Sequence, residues 1–279
     1  MLINDASNYR RQLLERMSNP SGNQAWLEAT AEQSTIDADT TKGYGEVDSN
    51  SAGLTGGGLI SFGALSFGAS AAYTRADIDV DARRSDVTAE STRGSVFATF
   101  DGGVIKAKLG VEASEAKLNT ARAIVFPGVA EASFAEYDAN GSQVFGEIAF
   151  KSDLAGLAFE PFVGIAKLKL ETDGFEEDGV LGLEVDGTER EVTFTTVGAR
   201  LHGPADWQFR PMASVAWRHA EADRAGDFTG SFTSGSPDFL VSGATVDIDS
   251  VVVDAGFSYA ITPSMELSVG YSGVIAPDT

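Results

Sequence analysis

The sequence predicts an all-β fold: an antiparallel, up-and-down transmembrane β-barrel with one α-helix ahead of it. Three observations predict this. Apolar and polar residues alternate strictly through segment after segment, so each segment is a strand with one apolar and one polar face. The segments are long. Ordinary strands run ~5–6 residues, whereas a tilted membrane crossing takes ~9–11. The connections alternate between short and long, the rhythm of a membrane barrel; a soluble sandwich has no reason to sort its loops so.

The composition narrows the function classes. The chain has 279 residues, no Cys and a formal net charge of −21. So acidic a chain lacks the basic footprint that nucleic acid requires. Without Cys there is no disulfide scaffold, thiolate catalysis or Cys-ligated zinc. No run of ~20 apolar residues offers a spanning helix. Met1 is followed by Leu2-Ile3-Asn4-Asp5, with no basic and apolar leader, so any export leader is expected upstream.

Residues 5–17 read as the one helix. Asp5 or Ser7 can cap it, Leu13, Leu14 and Met17 share a side, and Pro20-Ser-Gly22 ends it. It carries Arg10, Arg11 and Arg16 on an otherwise acidic chain. From residue 23 the period becomes two. Leu65, Phe67, Ala69, Ala71 and Tyr73 alternate with Ser66, Gly68, Ser70, Ala72 and Thr74. Ile105, Ala107, Leu109, Val111 and Ala113 alternate with Lys106, Lys108, Gly110, Glu112 and Ser114. Similar patterns run through 251–259 and 265–272. Eleven strands are expected, at 23–35, 48–62, 64–78, 88–101, 104–117, 135–151, 156–171, 188–202, 207–222, 245–260 and 264–275. Short turns fall at Gly63-Ala64, Gly102-Gly103, Asp153-Leu154-Ala155, Gly203-Pro204-Ala205-Asp206 and Thr262-Pro263. Longer acidic, Gly-rich connections fall at 36–47, 79–87, 118–134, 172–187 and 223–244.

Periodicity alone does not say which face is wet. Three features favour lipid on the apolar face. Acidic residues such as Asp77, Asp79 and Glu171 cluster at the long-connection ends, where charge costs little. Phe62, Phe67, Phe100, Phe150, Phe159, Trp207 and Phe209 gather near the short turns as an interfacial girdle. The polar faces are rich in Gly, Ser, Ala and Thr, which leaves lumen space for the helix. Arg10, Arg11 and Arg16 are then expected to meet acidic lumen positions such as Glu28, Glu32, Glu112, Glu147 or Asp254.

Several segments carry a family resemblance. Phe159-Glu-Pro-Phe-Val-Gly-Ile-Ala-Lys-Leu-Lys-Leu-Glu-Thr-Asp-Gly-Phe-Glu-Glu177, Thr195-Thr-Val-Gly-Ala-Arg-Leu201 and Arg210-Pro-Met-Ala-Ser-Val-Ala-Trp-Arg-His219 occur in that order. Gln24-Ala-Trp-Leu-Glu28 and Leu65-Ser-Phe-Gly-Ala-Ser-Ala-Ala-Tyr-Thr-Arg-Ala-Asp77 precede them. As an ordered set over nearly the whole chain they resemble the β-domain of type V autotransporters, outer-membrane translocators of Gram-negative bacteria. The resemblance implies a twelve-stranded barrel with a helix threaded through the pore as linker to an upstream passenger. Passenger folding outside, not ATP, would draw the chain through. It also implies a last strand after Asp278-Thr279, ending in an aromatic residue and read by the outer-membrane assembly machinery. With eleven strands found, that strand is expected to have been trimmed, and this chain alone to assemble poorly. The resemblance thus divides the chain into 1–21, the plugging linker, and 22–279, the barrel, with outer-membrane lipid, lipopolysaccharide, the passenger and the assembly machinery as partners. Some relatives cut their own linker beside an Asn. Asn4-Asp5 and Asn8 are the positions to consider here, but the paired Asn of those relatives is absent, so no catalytic residue is named.

The remaining chemistry is sparse. His202 and His219 are the only histidines and are not at ligand spacing, so no zinc site is expected. Asp77, Asp79 and Asp81 share a face, but Ala82 and Thr88 stand where a Ca²⁺ loop needs Gly and Glu. Gly53–Gly58 is not followed by Gly-Lys-Ser/Thr, so it is no phosphate loop; its glycines are expected to let the pore helix approach. Neither metal nor cofactor is expected, and no enzyme. The alternatives are a stand-alone porin or adhesin barrel, and a soluble acidic β-sandwich.

Overall fold

Alternating side chains fix the face of each strand, and the ladders then fix the order. The computed structural model describes residues 2–18, 22–36, 47–80, 85–179, 181–204, 207–222, 228–241, 248–262 and 265–275. A helix, α1 (Leu2–Arg16), precedes β1 (Gln24–Ile36), β2 (Val47–Phe62), β3 (Leu65–Val80), β4 (Ser85–Asp101), β5 (Ile105–Phe126) and β6 (Val129–Phe150). Then come β7 (Ser152–Leu154), β8 (Leu157–Thr172), β9 (Phe175–Glu176), β10 (Leu183–Val185), β11 (Thr188–His202) and β12 (Phe209–Ala222). The last are β13 (Phe228–Phe232), β14 (Phe239–Val241), β15 (Asp249–Thr262) and β16 (Met265–Ile275). The long strands pair antiparallel in the order β1-β2-β3-β4-β5-β6-β8-β11-β12-β15-β16, with β7 on β8. Each of the eleven expected segments is one of these long strands.

The sheet curls around the helix. Side chains of α1 bond to β1, β3, β4, β6 and β15, and Arg10 lies over a ring on β11. One helix reaches strands from both halves of the order only if the sheet closes about it as a barrel.

Four details differ from the sequence reading. First, α1 begins at Leu2, and neither Asp5 nor Ser7 caps it; Asp5 lies in the first turn, where its charge suits the helix dipole. Second, 118–134 is not a loop. β5 and β6 stay paired from Ile105↔Phe150 out to Phe126↔Val129. Pro127 supplies the fixed φ of a tight turn, and Gly128 supplies the φ of +88° that follows it. Third, the connections after β8 and β12 pair with each other as a small sheet, β14-β13-β10-β9. That sheet leans on the β5–β6 extension through Tyr137 stacked on Phe175 at 4.4 Å and an Arg122–Glu177 ion pair. Fourth, the glycines of β2 do not make room for the helix. A Cβ on Gly57 would meet the Trp26 ring at 2.3 Å, and one on Gly53 would meet Thr30 Oγ1 at 3.0 Å. Residues 37–46, 81–84 and 223–227, with Pro20, Ser21, Ala205, Asp206 and Pro263, lie outside the described residues.

The glycine notches support the lumen aromatics. A Cβ on Gly68 would lie 2.3 Å from the Phe97 ring, and one on Gly110 would lie 2.4 Å from Phe145. Both rings pack in the cluster that holds Tyr9, Leu13 and Met17. Gly68→Ala is therefore expected to overpack the lumen and cost about 1–3 kcal/mol, read as a lower unfolding midpoint in detergent.

Candidate functional site

The two faces of the barrel have opposite chemistry. On β5, Leu109 and Val111 point outward and are 59% and 46% exposed, whereas Lys106 and Lys108 between the same strands are 1% and 3% exposed. Val96, Val144, Ile148, Val163, Ile165, Val197 and Val215 are likewise exposed. Glu112, Glu147, Glu160, Arg93 and Arg200 are buried. These apolar rows do not meet one another in a core, so the soluble sandwich does not hold. Of the girdle, Phe62, Phe67, Phe100, Phe150, Trp207 and Phe209 are exposed, and Phe159 is half-buried.

The lumen is layered along α1. Around the helix start, apolar wall residues Ala89, Ala116, Leu118 and Ala139 pack with Leu2. Ile3, Ala6, Tyr9, Leu13 and Met17 continue this seam against Leu168, Val192, Phe194 and Ala220. The wall is therefore not uniformly polar, as the alternation alone suggested. Polar groups fix the rotation of the helix. Asp5 pairs with Arg93, and the Tyr9 hydroxyl shares hydrogen bonds with Ser70 (2.6 Å) and Ser95 (3.1 Å). Asn8 donates to Glu32 at 2.6 Å.

The helix ends among charges. Its last carbonyls lack intrahelical donors, and cations suit the negative end of its dipole. Lys108 Nζ donates to the Leu14 carbonyl at 2.9 Å and to Ser18 Oγ at 2.6 Å. Lys106 Nζ donates to the Ser18 carbonyl and, at 2.5 Å, to Glu160. Glu147 accepts from Lys108 at 2.7 Å and from both ends of the Arg200 fork at 2.7 and 2.6 Å. Buried charges are tolerable only when paired and hydrogen-bonded in this way. At the neighbouring short turns, partial burial pushes the Asp101 carboxyl up. Lys151 and the Gly103 N–H outweigh it and hold that carboxyl below its usual range.

The sequence-derived positions fall as follows. Arg11 pairs with Asp254 and Arg16 with Glu28 (2.8 Å). Arg10 instead donates to Gln143 at 2.7 Å and lies 5.0 Å from the Phe194 ring. Glu32 holds Asn8; Glu112 holds Arg93 at 3.0 Å; Glu147 holds Lys108 and Arg200. Arg93, Lys106, Lys108, Gln143 and Arg200 were missed as helix-holding groups. Parity could have found the lysines, since they share the face of Glu112 on β5. His219 is half-exposed beside Asp249 (3.0 Å) and Trp217; His202 ends β11 facing the lumen. Asp77 is exposed and accepts from Thr88, while Asp81 is outside the described residues. Asn4 is exposed, and Asn8 is engaged by Glu32 and Arg11.

Lys108→Met would remove two hydrogen bonds that tie the helix end to the wall, to the Leu14 carbonyl and the Ser18 hydroxyl, and a third to Glu147 within the wall. Bonds to a charged group are worth about 1.5–3 kcal/mol each. Amide exchange at residues 14–18 is expected to speed by about ten-fold or more, while β5 amides keep their protection.

A family model described as the autotransporter β-domain matches residues 25–272. The extracellular serine protease of Serratia marcescens is 23% identical over 215 residues, which is 75% of this chain. The chain spans about a fifth (20%) of the length of that curated relative. The translocator domain of autotransporter NalP from Neisseria meningitidis matches with a TM-score of 0.73 at 13% identity, over 97% of this chain and 91% of that one. The β domain of the Bordetella autotransporter BrkA matches at 0.65 and 16% identity, over 91% and 92%. At such identities these two likenesses speak to the fold alone.

Proposed function

The chain belongs to the autotransporter β-domain family, and we propose that it is the outer-membrane translocator of a longer secreted protein, carrying an N-terminal passenger to the surface of a Gram-negative cell. One observation carries this reading: the direction of α1. Its first residue packs beside Ala89, Ala116, Leu118 and Ala139, toward the long-connection end of the barrel. Its last turn meets Lys106 and Lys108, at the start of β5 beside a short turn. Gly22 and Asn23 then bond to Ser61 near the short-turn end of β2, where the chain enters β1. In an outer-membrane barrel the short turns are periplasmic and the long connections external. A passenger joined ahead of residue 1 would therefore leave at the external mouth.

In this reading residues 1–21 are the linker that plugs the pore and 22–279 the barrel. Arg10, Arg11 and Arg16 hold the plug, with Glu28, Glu32, Glu112, Glu147 and Asp254 as the lumen carboxylates around it. The exposed apolar rows face lipid, with lipopolysaccharide around the outer rim, and the outer-membrane assembly machinery inserts the barrel. The barrel is assigned no catalysis; any activity belongs to the passenger.

The test places an epitope ahead of residue 1 in the full-length gene product, made in intact Gram-negative cells. External protease is expected to remove the epitope and to spare a second one placed in the 153–156 turn. An epitope protected until the outer membrane is broken would refute the reading.

A further inference from the structure

The lumen around α1 is wet on one side and dry on the other. Toward β4, β5 and β6 it is dry. The paired side chains Arg93 and Glu112 are each 2% exposed, and Lys108 and Glu147 are 0% and 2% exposed. Toward β1 and β15 solvent reaches the ion pairs. Arg11 and Asp254 are 27% and 26% exposed, and Arg16 and Glu28 are 31% and 28% exposed. Glu15, between the buried Leu13 and Met17, is exposed as well.

A cleft of about 110 Å³ lies between α1 and the wall formed by β8, β11, β12 and β15. One water needs only ~10–15 Å³ measured this way, so the cleft holds a file of several waters. It begins beside His202, the last residue of β11, at the short-turn end, and runs to Arg218 on β12. Met212 stands across from His202. From Met212 to Arg218 is about 20 Å along the strand at ~3.3 Å per residue, against a hydrocarbon core of ~30 Å. On its outer side the cleft reaches Asn8, whose partner Glu32 is exposed. Gly164 keeps the middle open, because it puts no side chain opposite Thr196.

A second, independent observation calls for water there. Two buried polar atoms that line the cleft have no hydrogen-bond partner among the described residues, and they lie toward opposite ends. One is the Ser7 hydroxyl, near the start of the helix; the other is His202 Nε2, at the short-turn end. Buried polar atoms are ordinarily satisfied by protein or by ordered water.

We propose that the barrel is a narrow pore even with its helix in place: a file of water along one side of α1 passes water and small monovalent ions. Charges of both signs line the path, Arg11 against Asp254 and Arg200 against Glu147, and they offset part of an ion's lost hydration. The path needs only the helix in the lumen, so it stands apart from the identity of any passenger.

The test is the current of the full chain in planar bilayers with potassium chloride. A small, steady, ohmic current is expected. Gly164→Phe and the milder Thr196→Leu fill the cleft from neighbouring strands; a Cβ on Gly164 comes no nearer than 3.3 Å to another atom, the Gly146 carbonyl oxygen. The current is expected to fall about five-fold or more in Gly164→Phe, since the ring takes the place of several waters. A smaller fall is expected in Thr196→Leu. Val163→Phe, on the lipid face of the same strand, is expected to conduct as the parent does. Circular dichroism confirms that each variant is folded. The near-isosteric Thr196→Cys keeps the test decisive if the filled variants do not refold. A small aqueous methanethiosulfonate is expected to label it and lower its current, and to leave Val192→Cys, in the dry seam, unlabelled. A full chain that passes no current above bare lipid, an unlabelled Thr196→Cys, or parental current in the folded filled variants would each overturn the proposal. The last result is also what a barrel that its helix had left would give, because one added ring does not close an empty lumen.

Discussion

A chain lacking residues 1–20, reconstituted in planar bilayers, is expected to pass several times the current of the full chain. The reason is geometric. A helix with its side chains is about 10–12 Å across, and α1 touches wall strands from β1 round to β15. Its removal takes Tyr9, Leu13 and Met17 out of the central cluster and opens the lumen over the whole helix length. It also strips Lys106 and Lys108 of the Ser18 and Leu14 carbonyls, but each keeps a carboxylate, Glu160 or Glu147. The wall therefore stays paired and the barrel is expected to remain folded. Equal currents from the two chains would mean that the helix does not fill the pore.

Leu109→Arg is expected to destabilise the barrel strongly in lipid. Leu109 lies mid-row on the outward face of β5, across from Ala98 and Gly146. An arginine on the lipid face near the bilayer midplane costs about 2–4 kcal/mol, and one near the interface about 0–1 kcal/mol. Asn119→Arg, farther out on the same face of β5, is the matched control. Reversible unfolding in lipid vesicles is expected to show the large loss for Leu109→Arg and little for Asn119→Arg. If Leu109 instead stood in water, its replacement by arginine would be almost neutral.

The face of each strand was readable because a period of two needs no tertiary information. Leu109 outward and Lys108 inward follow from alternation plus the decision about which face meets lipid. The azimuth of the helix was not readable. Arg10, Arg11 and Arg16 are spaced around α1, and whether each meets Asp254, Glu28 or Gln143 depends on how the apolar seam from Ile3 to Met17 seats against Phe97, Phe145 and Phe194. That seat in turn depends on notches such as Gly68 and Gly110, whose partners lie on neighbouring strands. The β5–β6 extension was obscured for a local reason. Residues 118–134 carry Asn119, Pro127 and Gly128, which read as loop, while their pairing is imposed by the register running up from Ile105↔Phe150. The small outer sheet was invisible because β10 and β13 are far apart in sequence and each is too short to signal alone.

The orientation of the side chains carries everything else, and the absence of native cysteine makes it directly measurable. Single cysteines placed in turn at 143 through 148, labelled with a fluorophore and reconstituted in bilayers, can be challenged with a quencher dissolved in the acyl chains. Strong quenching is expected at 144, 146 and 148 and weak quenching at 143, 145 and 147. Quenching with the opposite parity, or equal at all six positions, would contradict a barrel with its apolar face in lipid and its charges around a threaded helix.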